Sequence, residues 1–205
     1  MRFFQSKRMI PLLAILLILA GIFFAVRFTR RAGDSYRAMQ FAVQNDFDAG
    51  NLDVALVQPW MHIRYIAEAY AVPQIFLFEQ LNIPMRKPTS QLPIGRLNKR
   101  FRLGQVDDEP VIVGMIQQAI LDYRQNPVVT GLAEREVQRW MNIQYIANST
   151  GIPVEILLDA VDIPVEGNVF KPLGWLVDST EYEAGLDHLL DTLQQVVDEN
   201  EVAPQ

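Results

Sequence analysis

Read as a pattern of apolar and polar positions, the chain begins with an apolar block. From Met9 to Val26, 18 consecutive residues carry no charge and show no polar stripe. At about 1.5 Å of rise per residue, such a run spans about 27 Å, the thickness of a bilayer core. The expectation is a membrane-spanning helix over residues 9–28, behind a short basic tail at 1–8. The same run also fits the apolar part of a cleaved signal peptide, although Arg27, Arg30 and Arg31 follow it without a small-x-small cleavage site. Residues 29–49 read as a juxtamembrane amphipathic linker, with Tyr36, Met39, Phe41 and Ala42 apolar.

Beyond residue 50 the pattern becomes helical and then recurs. Residues 52–84 and 132–164 align without a gap at an offset of 80, and 13 of the 33 positions are identical. Trp60-Met61-x-Ile63-x-Tyr65-Ile66-Ala67 returns as Trp140-Met141-x-Ile143-x-Tyr145-Ile146-Ala147. Ile63, Ile66, Ala67 and Tyr70 fall on one face of a helix, and Ile143, Ile146 and Ala147 repeat that face. Asn142 is a good cap for such a helix, and His62 at the matching position is a poorer one. Gly151 supplies a left-handed stop where the first copy has Ala71. Pro73 or Pro153 then opens a second helix that ends before Pro84 or Pro164. A second echo, Pro93-Ile-Gly-Arg-Leu and Pro172-Leu-Gly-Trp-Leu, predicts a short third helix. Longer helical patterns close each unit at roughly 107–126 and 181–199, with Asp107 or Asp108 and Ser179 or Thr180 expected to introduce them.

The fold class expected is therefore all-α: one N-terminal transmembrane helix, then helical repeat 1 at 50–127, helical repeat 2 at 130–200 and a tail at 201–205. Helix, tight turn, helix resembles the core of helix-turn-helix domains. The longer pattern WMxIxYIAxxxxxP is similar to a small tandem helical repeat of uncharacterised bacterial membrane proteins. That resemblance covers 33 residues twice. It implies a helical fold and a membrane setting, and it carries no activity with it.

Charge sharpens the picture. Residues 1–37 hold seven basic residues and one acid, while the remainder holds 11 basic and 23 acidic residues. Basic flanks around an apolar run mark headgroup contacts, which supports a single-pass protein of the cell membrane that contacts the bilayer through residues 9–28. Basic residues lie on both sides of the run, so they orient it weakly; the bulk of the chain is expected on the outer side of a bacterial envelope. An acidic body argues against broad nucleic-acid affinity. The second helices, QIFLFEQLN and VEILLDAVD, contain no basic residue to read bases or meet phosphate.

Candidate chemistry is sparse. The chain has no cysteine and two histidines, His62 and His188, which lie in different units. No HExxH, phosphate loop or GxSxG occurs, so no catalytic, cofactor or metal site is expected and the protein is read as a non-enzyme. Trp60, Met61, Tyr65, Trp140, Met141 and Tyr145 form the repeat signature and are expected in the core. Phe76 and Phe78 are the candidate partner surface, because the second helix of repeat 1 is apolar on more than one face. Arg96, Lys99, Arg100 and Arg102 are the candidate basic contact, for anionic lipid or an acidic partner. From Asp178 to Glu201 run eight acids with no Lys or Arg; opposite charge on the two units makes self-association a further expectation. The function expected is a membrane-anchored scaffold or adaptor for an unknown protein partner. A lipid or small-ligand module is one alternative, and a regulator touching nucleic acid through residues 86–102 is another.

Overall fold

The computed structural model describes residues 52–200, together with Leu17, Ile18, Ala20 and Gly21. The chain divides into two compact units, Met1–Gln44 and Asn45–Gln205. The four described residues of the first unit are helical. Among the described residues no helix is long and apolar enough to cross a membrane. The expected span at 9–28 lies outside them apart from those four, as do the linker at 29–49 and the tail.

Both sequence repeats lie in the second unit, which is mostly helical. Repeat 1 contains a 3-10 turn at Val54–Leu56, then α1 (Ile63–Tyr70), α2 (Gln74–Gln80), α3 (Lys87–Ser90) and α4 (Ile94–Phe101). A two-stranded antiparallel pair follows, β1 (Gln105–Val106) and β2 (Glu109–Pro110), and then α5 (Val111–Gln125). Repeat 2 contains α6 (Ile143–Thr150), α7 (Val154–Ala160), α8 (Leu173–Ser179) and α9 (Gly185–Asn200).

The recurring residues explain the recurring shape. In each copy the Gln-x-Trp-Met segment closes a tight turn: the Met61 N–H donates to Gln58 O at 3.0 Å, and the Met141 N–H to Gln138 O at 2.9 Å. Both methionine side chains are fully buried. The next residue caps the helix. The Asn142 side chain accepts the Tyr145 N–H at 2.7 Å, whereas His62 makes no side-chain capping bond. Ala71 (φ 50°) and Gly151 (φ 79°) end these helices in the left-handed region. Ala71 holds that conformation against its Cβ, where repeat 2 uses the residue that tolerates it. The second helices stop alike. Asn82 and Asp162 turn left-handed, and the Ile83 and Ile163 N–H groups reach back to Phe78 O and Leu158 O, each at 3.1 Å. That backward bond satisfies carbonyls the helix end would leave open.

The Pro-x-Gly echo has an equally specific cause. The N–H groups at the start of α4 donate out of the helix, Ile94 to Met61 O at 2.7 Å and Gly95 to Pro59 O at 2.9 Å. In repeat 2, Leu173 donates to Met141 O at 2.8 Å and Gly174 to Arg139 O at 2.9 Å. The third helix thus presents its unsatisfied N–H groups to the turn that precedes the first. Backbones approach so closely there that a Cβ at Gly95 would lie 3.1 Å from both Pro59 O and Pro59 Cβ, a tight contact. The last helix of each repeat then covers the core. α5 packs on α2 and α4, and α9 packs on α7 and α8. Leu189, Leu193 and Val197 recur every four residues as the buried stripe of α9.

Two expected helix starts are corrected. Asp107 and Asp108 do not cap α5; both take positive φ (51° and 66°) and form the turn between β1 and β2. Aspartates tolerate that conformation, and two in succession suit a tight hairpin. The Asn98 side chain steadies this hairpin, donating to Gly104 O at 2.7 Å and accepting the Ile112 N–H at 3.1 Å. Ser179 and Thr180 do not introduce α9 either. Their hydroxyls donate back to Leu176 O, at 3.2 and 2.7 Å, and so finish α8.

The Gly95 packing generates a differential prediction. Gly95→Ala meets backbone and ring atoms that cannot yield, and should destabilise the fold by about 1–2 kcal/mol. At Gly174 the nearest atoms are the Arg139 side chain at 3.3 Å, which can swing aside. There the gain in helix propensity, about 1 kcal/mol, should leave Gly174→Ala near neutral. Urea unfolding midpoints of the two variants compare them directly, and equal losses would contradict the assignment.

Candidate binding cleft at the repeat junction

At the carboxyl end of α1 the Glu68 carbonyl accepts a long bond from the Ala71 N–H, at 3.3 Å, and side chains of repeat 2 add donors to it and to the Ala71 carbonyl. The Asn142 Nδ2 donates to Glu68 O at 2.9 Å, and the Asn148 Nδ2 donates to Ala71 O at 2.6 Å. Asn142 is fully buried and serves both repeats at once: its oxygen caps α6 while its nitrogen closes α1. The end of α6 is covered in turn. The Tyr123 hydroxyl donates to Asn148 O at 3.2 Å, and the Thr130 and Gly131 N–H groups donate to Ser149 O at 3.2 and 2.8 Å. Repeat 1 itself is drawn together by Arg124, which donates to Leu52 O at 2.9 Å and lies over the Tyr70 ring.

Beside this junction lies a cleft of about 480 Å³. Repeat 1 contributes Arg64, Gln74, Met85 and Arg86 to its walls, and repeat 2 contributes Glu134, Glu136, Gln138 and Trp140. The Arg64 guanidinium lies 5.6 Å from the centre of the Trp140 ring, a cation–π contact across the cleft. The Trp140 Nε1 donates to Glu134 Oε2 at 3.3 Å. Gln74 is 2 % exposed and its Nε2 has no hydrogen-bond partner; the Tyr145 hydroxyl and the Ser149 Oγ are buried without one as well. The three side chains are neighbours. Burial pushes the Tyr145 hydroxyl up to about 12, and the Gln74 and Ser149 polar groups beside it oppose that rise without closing into full hydrogen bonds.

The signature residues divide into two kinds. Met61, Met141 and Tyr145 are fully buried. Trp60, Tyr65 and Trp140 are half-buried. Each copy pairs its Trp with its Tyr, with ring centres 5.6 Å apart for Trp60–Tyr65 and 5.1 Å for Trp140–Tyr145. Phe76 and Phe78 are corrected: they face inward, at 7 % and 2 % exposure. Phe76 sets its ring edge-on to Tyr123, with centres 5.2 Å apart. Phe78 contributes only the inner wall of a more open hollow near Ile83 and Met85. The apolar excess of α2 is absorbed by α5, an intramolecular neighbour that periodicity on α2 alone does not reveal. Arg96, Lys99, Arg100 and Arg102 are exposed on and just after α4, with the exposed acids of the hairpin turn following them in the chain.

The cleft residues Arg64, Gln74, Glu134 and Glu136 were not singled out by sequence, and Arg86 entered only as the start of the basic stretch 86–102. A signal existed: the junction positions are places where the copies differ in polar identity, Asn142 against His62 and Asn148 against Glu68. Among the described residues no group of three or more His, Asp or Glu side chains is placed to hold a metal ion. No protein-family model, curated protein or solved structure matches the chain.

Glu68 makes the junction sensitive to pH. It is half-buried at the end of α1, and desolvation raises its carboxyl from 4.5 to about 8, while Arg64 pulls in the opposite direction. The folded protein therefore holds this proton more tightly than the unfolded chain between about pH 4.5 and 8. Its contribution is fully present below the lower value and is lost as pH rises through the upper one. Glu68→Gln should flatten the decline in stability between pH 5 and 8, read as unfolding midpoints against wild type. An unchanged slope would show that Glu68 is not the group responsible.

Proposed function

We propose that this protein is a membrane-anchored, non-catalytic helical adaptor that holds a protein partner in the cleft between its two repeats. The observation that carries this reading is the cleft itself, which neither repeat forms alone. Arg64, Gln74 and Arg86 come from one copy, and Glu134, Glu136 and Trp140 from the other. Polar walls of mixed charge suit a protein surface better than a lipid tail, because tails gain from apolar burial and leave such groups unpaired. The uncharged run from Met9 to Val26 supports the anchoring.

A lipid or small-ligand module remains the second reading. Its support is the hollow lined by Ile75, Phe78, Ile83 and Met85, with Met85 41 % exposed. Contact with nucleic acid through 86–102 ranks last, since the exposed acids Asp107, Asp108 and Glu109 begin five residues after Arg102.

The test is capture by the tagged full-length protein in gentle detergent, with proteins and lipids identified by mass spectrometry. The adaptor reading predicts a stoichiometric protein partner whose recovery falls by about tenfold with Glu134→Arg/Glu136→Arg, the expected scale for reversing paired interface charges. Recovery unaffected by that change, or enrichment of a lipid alone, would contradict it.

A further inference from the structure

The cleft has a chemical polarity beyond its shape. Its repeat 1 side carries Arg64 and Arg86, and its repeat 2 side carries Glu134 and Glu136. The same asymmetry runs through the repeats as a whole. Residues 52–127 hold eight basic and seven acidic residues, and residues 128–200 hold three basic and 13 acidic. Gln74 lies at 2 % exposure, with its amide beside the buried Tyr145 hydroxyl. Arg64 is already held in place over Trp140, so part of the ordering cost of binding is met before a ligand arrives.

We propose that the cleft recognises a dipolar peptide segment, with a carboxylate set against Arg64 and Arg86 and an ammonium or guanidinium group set against Glu134 and Glu136. This deepens the adaptor reading and rests on it: it names the chemistry of the partner segment that the cleft takes. Specificity follows from the two walls together. An acidic segment meets its match on repeat 1 and repulsion from the glutamates of repeat 2, and a basic segment meets the reverse. Only a segment carrying both charges in the right order satisfies both sides.

The experiment titrates the full-length protein with three fluorescein-labelled Gly/Ser hexapeptides, carrying two Asp, two Lys, or one Asp and one Lys. The mixed peptide should bind at least about tenfold tighter than either of the others, a difference of about 1.4 kcal/mol. Arg86→Glu and Glu136→Lys, both at exposed positions, should each remove that preference. Circular dichroism checks that each variant is folded. Equal affinity for the three peptides, or no binding of the mixed peptide up to about 1 mM, the weakest affinity of interest, would overturn the proposal. If either result appears while the captured partner is still lost with Glu134→Arg/Glu136→Arg, the dipolar chemistry fails and the adaptor reading stands. If that capture also fails, both fall.

Discussion

The open carboxyl end of α1 is closed by side chains that belong to the other repeat, and the rest of the structure depends on that closure. A helix ends with carbonyls that have no partner of their own. Here Glu68 O and Ala71 O receive Asn142 and Asn148 from α6. Each bond is modest in water-exposed terms, but a buried carbonyl left without a donor costs about 1–3 kcal/mol. Separating the repeats would take the Asn148 donor from Ala71 O and leave Glu68 O with the long bond from the Ala71 N–H, at 3.3 Å. It would also undo the contact of Arg64 with Trp140 and the approach of Gln74 to Tyr145. The junction fixes the two walls of the cleft relative to each other, which any selective ligand site requires.

Repetition and divergence have separate roles in this chain. What recurs builds each unit: the Gln-x-Trp-Met turn, the left-handed stops, and the Pro-x-Gly helix that lays its first N–H groups on the preceding turn. What differs joins the units. Asn142 stands where repeat 1 has His62, Asn148 where it has Glu68, and Gln74 where repeat 2 has Val154. Two identical copies would offer no reason to dock with one particular face. The polar differences at the junction supply that reason, and leave Glu68 in a place where its carboxyl prefers to stay neutral.

The local structure was legible in the sequence because its causes are local. The helical faces, the Asn142 cap, the glycine stop at Gly151 and the breaks ahead of Pro84 and Pro164 depend on residues within a turn or two of one another. Errors began where a local signal had two physical uses. Asp107-Asp108 fits a helix cap and a hairpin turn equally well, and the pairing of β1 with β2 decides it. Ser179 and Thr180 suit either side of a helix boundary, and the open carbonyl of Leu176 claims them. The outward role expected of Phe76 and Phe78 was lost to α5, which lies more than thirty residues further along. The cleft was not legible at all, because its walls lie far apart in the chain and meet only when the junction forms.

The most direct test of the junction is whether the repeats unfold as one. The full-length protein is unfolded in urea, and each repeat is followed separately through amide hydrogen exchange in its own helices. The account predicts coincident transitions in both repeats, and two separated transitions once Asn142→Ala and Asn148→Ala are introduced together. Separate transitions before that change, or coincident and unshifted ones after it, would contradict the claim that these two asparagines hold the repeats as a single body.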